Sequence, residues 1–151
     1  MPTPPKRKRN ERKTLTNRID RNYSTYVRRS DANPTTGLAK CYTCDHTAHW
    51  SRLDAGHFQS RAKLATRWHL DKGHPWSGPQ PINCRAQCKR CNMRGGEQYR
   101  FAKAIDQEFG PGTAQAIEEE AAQSCRRTLQ ELRDLDATLR DLVKDQDRRH
   151  D

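Results

Sequence analysis

The chain is poor in apolar material. Hydrophobic residues fill 32% of its 151 positions and aromatic residues 7%. A composition that lean excludes a large apolar core and leaves a small domain in need of a staple, either disulfides or a structural metal. Long apolar runs are missing as well, with none near the roughly 18 residues of a membrane span. The opening MPTPPKRKRNERK has no apolar segment behind its charges, so it does not read as a secretory signal. The expected setting is cytoplasmic, without a membrane, where thiols stay reduced. Six cysteines are then more readily metal ligands than disulfide halves.

Positive charge, by contrast, is abundant and unevenly placed. The net charge is +10, and residues 1–103 carry 22 Lys/Arg against 7 Asp/Glu. Residues 104–151 reverse the balance, with 7 against 12. A basic first two-thirds suits a polyanion, because each neutralised phosphate releases condensed counterions. The acidic remainder would repel DNA and suits protein contacts. A basic surface kept only for solubility explains this asymmetry poorly.

Residues 1–13, Pro-rich and then basic, should be a disordered arm. Leu15, Ile19, Tyr23, Tyr26 and Val27 recur at helical spacing, with Arg18, Arg21, Arg28 and Arg29 on or near the polar side. This helix should end by Asn33-Pro34. Residues 37–98 read as irregular structure with short strands, and Gly73 to Pro81 as a loop. Helical spacing returns with Tyr99, Ala102, Ile105 and Phe109 on one face, stopped by Gly110-Pro111-Gly112. From Thr113 a last helical region carries Leu129, Leu132, Leu135, Leu139 and Leu142, close to a heptad seam. The expected units are therefore the arm at 1–13, a domain at 14–112 and a helical tail at 113–151. The leucine seam suggests a homodimer.

Cys41-x2-Cys44 and Cys88-x2-Cys91 form the sharpest constellation. Two thiolates two residues apart grip one ion from a tight turn, and two such turns complete a tetrahedral four-thiolate site. A closed site of that kind is structural, and Zn²⁺ is the expected ion. Cys84 and Cys125 have no partner pattern and read as small buried residues. The 43 residues between the two units must hold something substantial.

That insert contains Leu53-Asp54-Ala55-Gly56-His57-Phe58, and the second Cys pair runs directly into Asn92. A glycine permitting close backbone approach, an Asp three residues before a His, and that Asn together resemble the HNH endonuclease pattern. The resemblance implies His57 as general base, because a neutral imidazole can take a proton from water near working pH. It implies Asn92 as a ligand to a hard divalent ion, Mg²⁺ or Mn²⁺, which needs only one or two protein oxygens. Asp54 stands where DxGH nucleases have theirs, as a second ligand or a support. Asn83 best matches the middle Asn and would orient His57 by a hydrogen bond. Taken singly, Asn83 could equally be a turn residue and Asn92 a helix cap.

Across Cys41 to Gly96 the segments CYTC, DAGHFQSR, ATRW, NCRAQCKRCN and RGG look like the NinG (Rap) family of lambdoid phage recombination endonucleases. The resemblance implies cutting of branched DNA such as Holliday junctions and D-loops. It also implies a small α+β fold, a treble-clef-like zinc-stapled HNH (ββα-metal) domain flanked by N- and C-terminal helices. Where Arg85 stands the family often has a His, so no role of that His carries over. Ser60, Thr66, Trp68 and Gln87 belong to the shared block, and so do Arg61 and Arg67. Those two arginines could clamp phosphate oxygens, with Lys89, Arg90 and Arg94 as further DNA contacts. Solvated surface arginine is the plainer alternative. His46, His49, His69 and His74 read as surface or packing residues. Trp50, Trp68 and Trp76 could stack on unpaired bases, though Trp68 fits core packing better. Other readings are an HNH nuclease acting on ordinary duplex DNA, a non-catalytic zinc-dependent DNA-binding protein, or an adaptor working through its acidic tail.

Overall fold

Asn10 accepts the Lys13 N–H at 3.4 Å and so starts the first helix, α1 (Glu11–Ser30). The arm expected over 1–13 therefore ends earlier, since Glu11 to Lys13 are already helical. The computed structural model describes residues 1–2, 10–74 and 78–149, so most of that arm and Trp76 fall outside the described residues. α1 buries Leu15, Ile19, Tyr23, Tyr26 and Val27, the stripe that the sequence spacing marks out.

Three short antiparallel strand pairs follow. β1 (Leu38–Lys40) pairs with β2 (Thr47–His49), and a single helical turn at Trp50–Arg52 leads on. β3 (Asp54–His57) pairs with β6 (Cys84–Gln87) in the register Asp54↔Gln87 to His57↔Cys84. Between them lie β4 (Asp71–His74) and β5 (Gly78–Gln80), a pair that occupies much of the expected 73–81 loop. β6 is buried at all four positions, which makes β3–β6 the centre of the molecule.

The helices resume with α2 (Lys89–Met93), α3 (Gln98–Phe109) and α4 (Thr113–Ala121), and the chain closes with α5 (Leu129–Arg149). On α3 the buried residues are Phe101 and Ile105, whereas Tyr99 is 80% exposed. Phe101 lies roughly 200° round the helix from Tyr99, so only one of the two can face inward. Phe101 wins because Phe58, Ile82, Ala114 and Ile117 gather there. The last helical region is two helices, broken over 122–128.

α5 lies along α1. Leu132 and Leu139 join Leu15, Ile19, Tyr23 and Val27 in one core, with Leu129, Leu135 and Leu142 packed against it. Each fully buried leucine contributes about 1.5–3 kcal/mol. Arg18 fixes the pair of helices by donating to both Asp136 oxygens, at 2.8 and 2.6 Å. Gln146 Nε2 adds a bond to the Tyr26 carbonyl at 2.9 Å. The leucine seam is therefore covered from within the chain, and the dimer expected from it loses its free apolar stripe. Among the described residues, no exposed large apolar side chain lies on α5. The boundary expected at 112 likewise falls inside packed structure, since α3 and α4 share a core. No helix among the described residues is long and apolar enough to cross a membrane.

Candidate metal centre and cleft

Cys41 and Cys44 lie in the turn after β1, Cys88 lies between β6 and α2, and Cys91 lies on α2. Sγ atoms of Cys41, Cys44, Cys88 and Cys91 all lie within 4.8 Å of one another. Cys44 and Cys88 sulfurs are 3.7 Å apart. A disulfide would need about 2.05 Å. Four thiolates at about 2.3 Å from a tetrahedral ion would instead stand about 3.8 Å apart. These four cysteines could hold a structural metal such as zinc. The His46 and Cys91 amides donate to Cys44 and Cys88 sulfurs, both at 3.5 Å. Burial pushes the Cys41 thiol up, but amide hydrogen bonds from Cys88 and Thr43 outweigh it and bring it to about 7. Burial pushes the Cys44 and Cys91 thiols up, Cys44 to about 12.

Gln87 locks this centre to the neighbouring strand. Its Nε2 donates to Thr43 Oγ1 in the turn after β1 and to the Gly96 carbonyl beyond α2, both at 2.9 Å. Its side chain lies flat against Gly56, where an added Cβ would come within 1.8 Å of Gln87 Oε1. The glycine before His57 is thus required by the Gln87 amide.

His57 ends β3. Its Nε2 donates to the Arg67 carbonyl at 3.0 Å, which leaves Nδ1 as the acceptor nitrogen. Nδ1 lies 3.7 Å from the sulfur of fully buried Cys84. Burial pulls the His57 pKa below its usual value, helped by the Arg61 and Arg67 charges and opposed by the Arg67 carbonyl and Asp20. The imidazole is therefore neutral at physiological pH.

Asn83 makes no bond to His57, contrary to the orienting role expected of it. Its Oδ1 accepts from Gln59 N at 2.8 Å, and its Nδ2 donates to the Gln59 and Thr66 carbonyls at 3.1 Å. Fully buried Asn83 pins the loop that leaves His57, and it is the Arg67 carbonyl on that loop that orients the ring. Asp54 and Asn92 do meet, with Asn92 Nδ2 donating to Asp54 Oδ2 at 3.2 Å. Lys89 Nζ lies 3.3 Å from the other Asp54 oxygen. Rotating the Asn92 amide would turn two oxygens, one from each residue, toward a common point.

A cleft of about 720 Å³ brings these groups together, lined by Asp54, His57 and Asn92 with Arg28, Arg61, Lys63 and Lys89. α1 forms one wall. Its Asp20 accepts from Arg61 at 2.9 Å, from Arg67 at 3.2 and 2.7 Å, and from Trp68 Nε1 at 2.8 Å. Burial pushes the Asp20 carboxyl up, but the Arg67 and Trp68 hydrogen bonds and the two arginine charges hold it below the usual carboxylate range. Arg67 is consequently turned inward, leaving Arg61 as the more open cation of the pair. Arg90 lines a separate hollow beside the thiols, and Arg94 is exposed at the end of α2.

Of the tryptophans, Trp68 is buried between the Arg67 and Arg127 guanidiniums. Trp50 carries Arg28 and Arg29 over its ring. Among the histidines, His49 caps a helical turn and His69 faces Glu120 at 3.6 Å. Arg85 is buried and paired with Asp31 and Glu108, which makes it a structural cation outside the cleft lining. Cys84 is buried as expected, while Cys125 is partly exposed.

Sequence reasoning missed Asp20 and Arg28. The signal for Asp20 was available: it is the lone acid between Arg12 and Arg29. No protein-family model, curated protein or solved structure matches the chain.

Proposed function

We propose that the chain is a metal-dependent DNA endonuclease of the HNH type, stapled by Zn²⁺ on its four cysteines. The observation that carries this reading is the shared cleft: a neutral, half-buried His57 opens onto the same basic space as the Asp54–Asn92 pair. β3 carries Asp54 and His57, β6 pairs with it, and α2 carries Asn92, the strand, strand, helix order of a ββα-metal site.

Asp54 and Asn92 would hold a hard divalent ion, Mg²⁺ or Mn²⁺, which supplies charge stabilisation at the scissile phosphate. Lys89 beside Asp54 holds a positive charge at the same place. His57 takes the proton of the attacking water on Nδ1, because the Arg67 carbonyl already occupies the Nε2 proton. For water to reach that nitrogen, the buried Cys84 thiol 3.7 Å away would have to turn aside. Arg28, Arg61 and Lys63 bind phosphate along the cleft. A branched substrate is the part of the proposal that follows from the NinG resemblance, with ordinary duplex as the alternative.

A second reading is a zinc-stapled DNA-binding protein without catalysis. The Cys84 thiol beside Nδ1 is the observation in its favour. A nicking assay on a four-way junction and on linear duplex, with Mg²⁺ or with Mg²⁺ withheld, decides between them. The endonuclease reading expects Mg²⁺-dependent nicking that falls by about 10²–10⁴-fold in His57→Ala, with DNA affinity kept. Absence of metal-dependent nicking by the wild type on every substrate would establish the binding protein instead.

A further inference from the structure

We propose that the basic hollow beside the zinc centre is a second DNA-backbone contact, made by Arg52, Arg90 and Arg100 and joined to the cleft through Lys89. The proposal deepens the reading above, since it takes DNA as the ligand of the cleft. The hollow measures about 390 Å³, and its lining holds these four cations against one acid, Glu97. Lys89 also lines the cleft, so the two concavities are neighbours along one surface.

Arg52 ends the helical turn after β2, Arg90 sits on α2 and Arg100 on α3. Folding thus gathers three guanidiniums from three elements. All three are exposed, and among the described residues none has an ion pair or a side-chain hydrogen bond. In the cleft two of the cations are answered from within the chain, Arg61 by Asp20 and Lys89 by Asp54. Three arginines gathered round a concavity with a single acid in its lining repel one another, and a polyanion laid across them relieves that repulsion. A phosphate backbone leaving the cleft over Lys89 meets these arginines next. The competing role is to offset the charge of a four-thiolate metal centre.

The test measures the affinity of a fluorescein-labelled duplex by anisotropy, with Mg²⁺ withheld, over roughly 50–200 mM salt. Three Arg→Gln changes at 52, 90 and 100 should weaken binding by on the order of 100-fold at the low-salt end. They should also flatten the log–log salt slope by about 2.7, or about 0.9 per phosphate contact. Zinc content should stay at its wild-type value. Arg100→Gln alone lies outside both Cys pairs and should flatten the slope by about 0.9 even if the triple variant loses metal. Wild-type slopes in both variants would overturn the proposal. So would zinc loss in the triple variant with an unchanged slope for Arg100→Gln, which would assign the arginines to the metal centre. Failure of the endonuclease reading shows elsewhere, as a wild type that binds DNA with these slopes and never nicks it.

Discussion

Asp20 grips Arg67 through both Nε and Nη2, at 3.2 and 2.7 Å, and so reaches His57 without touching it. The carbonyl of that same Arg67 receives the His57 Nε2 proton at 3.0 Å. A carboxylate on α1 thereby sets the residue that sets the ring. Trp68 and Arg61, also held by Asp20, close the arrangement from the neighbouring positions.

Asp20→Asn keeps the volume and removes the charge. It should lower stability by on the order of 1–3 kcal/mol, because Arg67 is mostly buried and loses its charged partner. The exposed Arg61 arm of the pair contributes little. In a nicking assay the turnover should fall more than the affinity for DNA. Equal turnover for the two proteins at matched folding would detach Asp20 from His57.

The pH dependence has a defined sign. Burial lowers the His57 pKa in the folded protein, so the folded state takes up its proton at lower pH than the unfolded chain. Stability from this group is present above the ordinary His value of about 6.5 and declines as pH falls below it. The acid limb of kcat/KM should accordingly lie below about 6.5. Asp20→Asn should carry it lower still, since Asp20 raises the His57 pKa. A limb at or above the ordinary value in the wild type would contradict the burial argument.

Removing zinc should unfold the middle of the chain. Structural four-ligand sites bind with about 10–16 kcal/mol, more than a small domain's whole stability. Elemental analysis should find zinc in the wild type, and Cys88→Ser should lose both the metal and the cooperative melt. Cys125→Ser, at a partly exposed site away from the cluster, should keep both. Equal zinc content in the two variants would reassign the ligands.

Leu139 is fully buried against α1, so Leu139→Ala should cost about 2–5 kcal/mol in chemical denaturation. Deleting residues 129–149 should abolish DNA affinity together with folding, because it strips the outer face of the α1 core. An adaptor with a separable tail expects the opposite, intact DNA affinity after the same deletion.

How much of this was legible depended on how local the cause was. The thiol cluster could be read because each pair closes over two residues, and α1 because its stripe repeats every turn. Asp54 and Asn92 were readable as a motif and do meet. Asn83 was not: a sequence shows an Asn near a His but cannot show which backbone its amide binds, here that of Gln59 and Thr66. Asp20 lies 41 to 48 positions from its three donors, so only the folded chain discloses the contact. The leucine seam was seen correctly as an apolar stripe, yet its spacing is the same whether a second copy or α1 covers it.

The clasp between α1 and α5 joins residues 118 positions apart, Arg18 to Asp136. Translation delivers α1 before α5, so the part of its apolar face that α5 covers stays open while the residues between them are made. Such distant closure is slow in folding terms. It also orders events: α1, which walls the cleft, gains its full packing only once α5 has followed. A chain lacking α5 would keep Asp54, His57 and Asn92 and still lack the packing behind one wall of their cleft.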